Sequence, residues 1–100
     1  MAYLRVSIVT WKIDVHGAEA QALTQKVQDE GIPLLRRLPG LARYQAAITG
    51  PRTIVNVLEW ESEAPAKAGA ERFTEWLQSS GLSQQIDSVD AHMGEVLVSS

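Results

Sequence analysis

The chain has no cysteine. Disulfide bridges, zinc–thiolate sites and cysteine nucleophiles are therefore out of the question. It has only two histidines, His16 and His92, too far apart to make a metal motif, and no metal site is expected. No apolar run approaches the roughly 18 residues that a membrane-spanning helix needs, so no membrane role is expected. The opening residues, Met1-Ala2-Tyr3-Leu4-Arg5, lack the basic region and apolar stretch of a secretory leader, and a cytoplasmic location is expected. Basic residues are scarce and scattered: nine against twelve acidic ones, for a net charge of −3. Nucleic-acid binding wants a basic patch, so that class is set aside. The adjacent pair Arg36-Arg37 reads instead as cations in the last turn of a helix, where they complement its dipole.

What is present is a chain of 100 residues, 45% hydrophobic. That suits a single domain over residues 1–100 with a small core. The strongest strand signal is Thr53-Ile54-Val55-Asn56-Val57-Leu58-Glu59-Trp60-Glu61, rich in branched residues and bounded by Pro51 and Ser62. Ile54, Asn56, Leu58 and Trp60 share one face, and Thr53, Val55, Val57, Glu59 and Glu61 the other. Both faces are apolar at the centre, as in a central strand. Asn56 is the one amide on its face. A buried amide must find partners or line a cavity.

The other elements fall around this strand. Tyr3 to Trp11 reads as a first strand, with Leu4, Val6 and Ile8 on a clean apolar face. Asp14 to Gly17 is a turn, and Asp14 or His16 could start the next helix. Residues 17–38 carry a helical period through Ala20, Leu23, Val27, Gly31, Leu34 and Leu38, with a kink near Gly31 to Pro33, or two abutting helices, expected. Pro39-Gly40 stops it. Leu41 to Gly50 is a second strand, joined to the central one by the short turn Gly50-Pro51-Arg52, which predicts an antiparallel hairpin. Ser62 is a candidate N-cap for a second helix, whose packing face is Ala66, Gly69, Ala70, Phe73, Trp76 and Leu77, with Gly81 suited to a left-handed cap. Leu82 to Ile86 adds a turn, and Val89 to Val98 reads as the last strand.

Strand, helix, strand, strand, helix, strand is the βαββαβ order of a ferredoxin-like fold, an α+β arrangement with two helices on one face of a four-stranded antiparallel sheet. Two helices cover one sheet face only. The opposite face also carries apolar side chains, which predicts a homodimer joined sheet to sheet.

In this order and length the chain resembles the dimeric α/β-barrel superfamily, and within it the antibiotic biosynthesis monooxygenase-like domains. The marks of the resemblance are Leu38-Pro39-Gly40-Leu41 with Tyr44, and Asn56-Val57-Leu58-Glu59-Trp60-Glu61-Ser62 leading into the second helix. Members that oxidise aromatic polyketides without a cofactor use an Asn and a Trp on the third strand, which Asn56 and Trp60 match in type and spacing. The resemblance implies that Asn56 holds a substrate oxygen and that Trp60 stacks on an aromatic substrate. An amide can stabilise a phenolate or developing oxyanion, and an indole brings a broad apolar face. Related haem-degrading enzymes place a His in the second helix. Ala66-Lys67-Ala68-Gly69-Ala70 has none, so no haem and no other cofactor is expected. The polyketide oxidases also recruit Tyr and Arg around that helix, where Arg72 is the nearest residue.

The reading that follows is a cofactor-independent monooxygenase acting on a small aromatic or quinol substrate between sheet and helices. The alternative is a non-catalytic homodimer of the same fold that binds a small ligand or serves a structural role. A third reading uses His92 as a base, since Asp90 lies two residues away on the same strand face and could orient it. The sequence also sets a discriminator. If Trp60, Phe73 and Trp76 fill the space under the helices, no room is left for a substrate.

Overall fold

A computed structural model describes residues 2–100. The chain runs β1 (Tyr3–Trp11), α1 (Ala18–Lys26), α2 (Ile32–Arg37), β2 (Leu41–Ile48), β3 (Thr53–Trp60), α3 (Glu63–Ser79) and β4 (Ile86–Glu95). The four strands form one antiparallel sheet in the order β2-β3-β1-β4. The strand with the strongest sequence signal, β3, is thus internal. The sheet and its helices form the ferredoxin-like arrangement.

The expected kink takes a specific form. Between α1 and α2, Val27–Gly31 winds as a π-helical turn, and the Ile32 N–H reaches back to the Val27 carbonyl. The wider turn lies just before Pro33, the residue that has no N–H to give. The cap residues hold partly as expected. Ser62 takes the extended N-cap conformation, but its hydroxyl makes no capping bond. Gly81 has φ of 84°, the left-handed geometry that favours glycine. The last strand is displaced from its expected bounds: it starts at Ile86 and ends at Glu95. Its register explains the shift, because it pairs with β1 from Trp11↔Ile86 to Tyr3↔Glu95, with one further backbone bond from the Val96 N–H to the Ala2 carbonyl.

Register assigns the faces. Tyr3, Arg5, Ser7, Val9 and Trp11 turn to the helices together with Ile54, Asn56, Leu58 and Trp60, their neighbours across the β1–β3 ladder. Tyr44, Ala46 and Ile48 of β2 join them. The clean apolar set, Leu4, Val6 and Ile8, faces away from the helices, flanked by Val55 and Val57.

The helix side is not filled evenly. The buried cluster of Tyr3, Leu35, Leu38, Leu58, Trp60 and Ala66 sits at the end of the sheet where β1 begins and β3 ends. Burying a side chain of this size contributes about 1.5–3 kcal/mol. Asn56 lies halfway along β3, where this packed end gives way to open space.

Candidate active site

Two adjoining cavities occupy that space, of about 260 and 330 Å³. They share the wall formed by Val9, Tyr44, Asn56, Phe73, Leu77 and Ile86. The first runs under α1, past Leu23 and Val27, towards the rim at Ile48, which is 53% exposed. The second runs between α3 and β1, past Ser7 and Arg5. Apolar side chains dominate both, with a few polar groups set among them, as in small-molecule sites.

Asn56 lines both cavities. Its side chain is not free to turn. The Tyr44 hydroxyl donates to Asn56 Oδ1 at 2.9 Å. The two residues lie diagonally on the β2–β3 hairpin, since Tyr44 pairs with Leu58 and Ala46 with Asn56. With Oδ1 held by the phenol, the NH₂ is free to donate, while Oδ1 keeps one further lone pair. Burial raises the Tyr44 phenol above its ordinary pKa, so it keeps its proton and stays a donor at neutral pH. Ser7, opposite Asn56 in the ladder and only 2% exposed, lines the second cavity.

Trp60 and His92 lie away from both cavities. Trp60 points to the helix side as expected, but it reaches neither cavity. It is 1% exposed, and a Cβ on Gly69 would stand 2.0 Å from its Cη2. The ring is packed under α3, which approaches closely because residue 69 has no side chain. Its Nε1 has no hydrogen-bond partner. Trp60 is a core residue that sets the height of α3 above the sheet. His92 lies on the wrong face. It pairs with Val6, on the side away from the helices, and cannot reach Asn56. Its Nε2 lies 3.0 Å from Asp90 Oδ1, in an exposed pair. Arg72 is exposed on α3 and lines neither cavity.

The discriminator set by the sequence comes out on the side of open space. Trp60 is taken up by Gly69. Trp76 packs on the π turn, where a Cβ at Gly31 would stand 3.0 Å from its Cη2. Phe73, 5.4 Å from Trp76 between ring centres, forms cavity wall. Among the described residues no three His, Asp or Glu side chains gather in a way that could hold a metal ion. No helix there is long and apolar enough to cross a membrane.

The fold recurs in solved structures. SnoaB, a cofactor-independent oxygenase from Streptomyces nogalater, superposes with a TM-score of 0.72 at 15% identity, over 98% of this chain and 95% of that one. A dimeric ferredoxin-like protein from an uncultured marine organism gives 0.77 at 16%, over 98% and 90%. A monooxygenase of Streptomyces coelicolor, solved with nanaomycin D, gives 0.68 at 19%, over 98% and 93%. The chain has the fold of the antibiotic biosynthesis monooxygenase-like proteins. No protein-family model matches its sequence, and no curated protein does. At these identities the likeness to the monooxygenase-like structures is one of fold.

Tyr44, Arg5 and Ser7 line the site without a local sequence signal for that role. Tyr44 was legible in principle. Once the turn at residues 49–52 is fixed, the hairpin register puts Tyr44 on the face of Asn56. Arg5 alternates with Leu4 and Val6 on β1 and so falls on the opposite strand face. Nothing local marks it as a cavity residue, because that depends on which face the helices cover.

Proposed function

We propose that this protein is a cofactor-independent monooxygenase of a small aromatic or quinol substrate, working as a homodimer of single-domain chains in the cytoplasm. The observation that carries the reading is the oriented amide of Asn56 at the meeting point of two largely apolar cavities. The fold shared with SnoaB and the S. coelicolor monooxygenase supports it. An electron-rich ring would fit between Val9, Phe73 and Leu77. The Asn56 NH₂ would donate to its oxygen, favouring the phenolate or enolate over the neutral form. That anion is the electron donor to dioxygen. Overall, a ring methylene and dioxygen become a ring carbonyl and water, with the substrate supplying all four electrons: one oxygen atom enters the ring as the carbonyl and the other leaves as water with the two methylene hydrogens. Tyr44 holds the amide in its donating orientation before the substrate arrives, so no reorganisation is needed at the reaction step.

The dimer is supported by the apolar face of Leu4, Val6, Ile8, Val55 and Val57, which no helix covers, and by the dimeric state of the marine ferredoxin-like protein. The alternative, a ligand-binding dimer without catalysis, draws on one observation: no His, Asp or Glu lines either cavity, so the protein brings no ready general base. Oxygen uptake with a panel of anthrones, naphthols and quinols decides between them. Uptake by the wild type that falls at least tenfold in Asn56→Ala supports the oxygenase. Binding without uptake supports the alternative.

A further inference from the structure

The walls of the two cavities hold one charged side chain, Arg5. It stands on β1 between Leu58 and Met93 in the ladder, on the helix side of the sheet, and lines the second cavity with Ser7 and Asn56. Among the described residues no carboxylate pairs with it. Arg5 is half-buried, so water meets part of its charge, and an anion entering the cavity would replace that water as its partner. Desolvation lowers the Arg5 pKa from its ordinary value. A guanidinium starts so far above neutrality that it stays charged. The cavity therefore presents a fixed positive charge at its wall that makes no ion pair among the described residues, Glu95 lying diagonal to it on the same face included.

The spacing says where an anion belongs. Ser7 is opposite Asn56, and Arg5 is two residues along the same strand face, about 7 Å away. That is a backbone spacing, and the flexible arginine stem lets the guanidinium reach a substituent of an aromatic ring whose oxygen lies at Asn56. The guanidinium fork matches a planar carboxylate with two parallel hydrogen bonds.

We propose that Arg5 binds a carboxylate on the aromatic ligand whose oxygen Asn56 holds. This rests on the oxygenase reading for the ring and the Asn56 contact, and it adds the class of substrate: an aromatic acid. The neutral anthrones and naphthols would enter the same space but leave Arg5 without an anion.

The test is calorimetric titration of the intact homodimer with a dihydroxynaphthoate and with the matching dihydroxynaphthamide. The two differ only in the charge of one substituent. The wild type is expected to bind the acid at least about tenfold more tightly, the worth of one charge-assisted hydrogen bond. Arg5→Gln is expected to bind both alike, and Arg5→Lys to keep part of the preference. Equal affinities in the wild type, a preference that survives Arg5→Gln, or no binding of either compound overturns the proposal. The ligand pair is compared on the wild type, so the result stands even if a variant folds poorly. Oxygen uptake is recorded on the same samples. A clear acid preference with no uptake leaves the anion site standing and removes the oxygenase reading. Equal uptake with acid and amide does the reverse.

Discussion

Gly69 and Trp60 are matched: a methyl group on Gly69 would stand 2.0 Å from the Cη2 of the indole. In an exposed helix, Gly→Ala stabilises by about 1 kcal/mol. Here the gain is overwhelmed, because the indole is 1% exposed and has nowhere to move. Gly69→Ala should lift α3 or displace Trp60, at a net cost of about 1–3 kcal/mol. Urea unfolding of the variant checks this. A midpoint equal to or above that of the wild type would mean that α3 is not held against Trp60.

Tyr44 and Asn56 act as a unit, and their substitutions should not add. Tyr44→Phe removes the donor to Asn56 Oδ1 and lets the amide rotate. Asn56→Ala removes the amide itself. Each should lower kcat/KM for an active substrate by about tenfold or more, the scale of one hydrogen bond to a developing charge. The double variant should lose little beyond Asn56→Ala alone, since Tyr44 works through Asn56. Fully additive losses would mean that Tyr44 touches the substrate independently.

These two pairs show what a sequence can and cannot tell. The order of elements, the antiparallel hairpin and the split of β3 into two faces follow from local patterns that hold in any context. Asn56 stood out because a lone amide on an apolar face breaks such a pattern. Trp60 was a harder case. A Trp on a helix-facing strand position reads the same whether it meets a ligand or a glycine, and only the close approach of Gly69 decides. His92 is a similar case. Its neighbour Asp90 is fixed by the strand, but the face that the helices cover is a tertiary choice. The chain put Leu4, Val6 and Ile8, its cleanest apolar strand face, on the side away from its own helices. Arg5 became a cavity residue by the same choice.

That uncovered face gives the next prediction. Val6 lies at its centre, beside Val57 and His92. A lysine there would put a charge into the proposed sheet-to-sheet contact, where an unpaired cation is costly. In the single chain Val6 sits on no helix, so its own fold should tolerate the change. Val6→Lys should sediment as a monomer at micromolar concentration with an unchanged far-ultraviolet circular dichroism spectrum. A variant that remains a dimer would place the contact elsewhere.

The buried phenol of Tyr44 makes a prediction about alkaline pH. Its pKa in the folded chain is raised above 10.0 by desolvation. In the unfolded chain the group titrates near that ordinary value. Between the two values the folded state holds a proton that the unfolded state has released. The stability tied to this group is therefore fully present below pH 10.0 and is lost as pH rises through the folded-state pKa. Tyr44→Phe has no proton to lose. It should start less stable at neutral pH by about 1 kcal/mol, through the lost hydrogen bond to Asn56. It should also lose less on going to alkaline pH, so the gap to the wild type narrows there. Urea midpoints of both proteins across neutral and alkaline pH check it. Tyr3 is common to both and cancels in the difference. A gap that is constant with pH would mean that the phenol is solvated as freely in the folded chain as in the unfolded one. The preset orientation of Asn56 would then lose its physical basis.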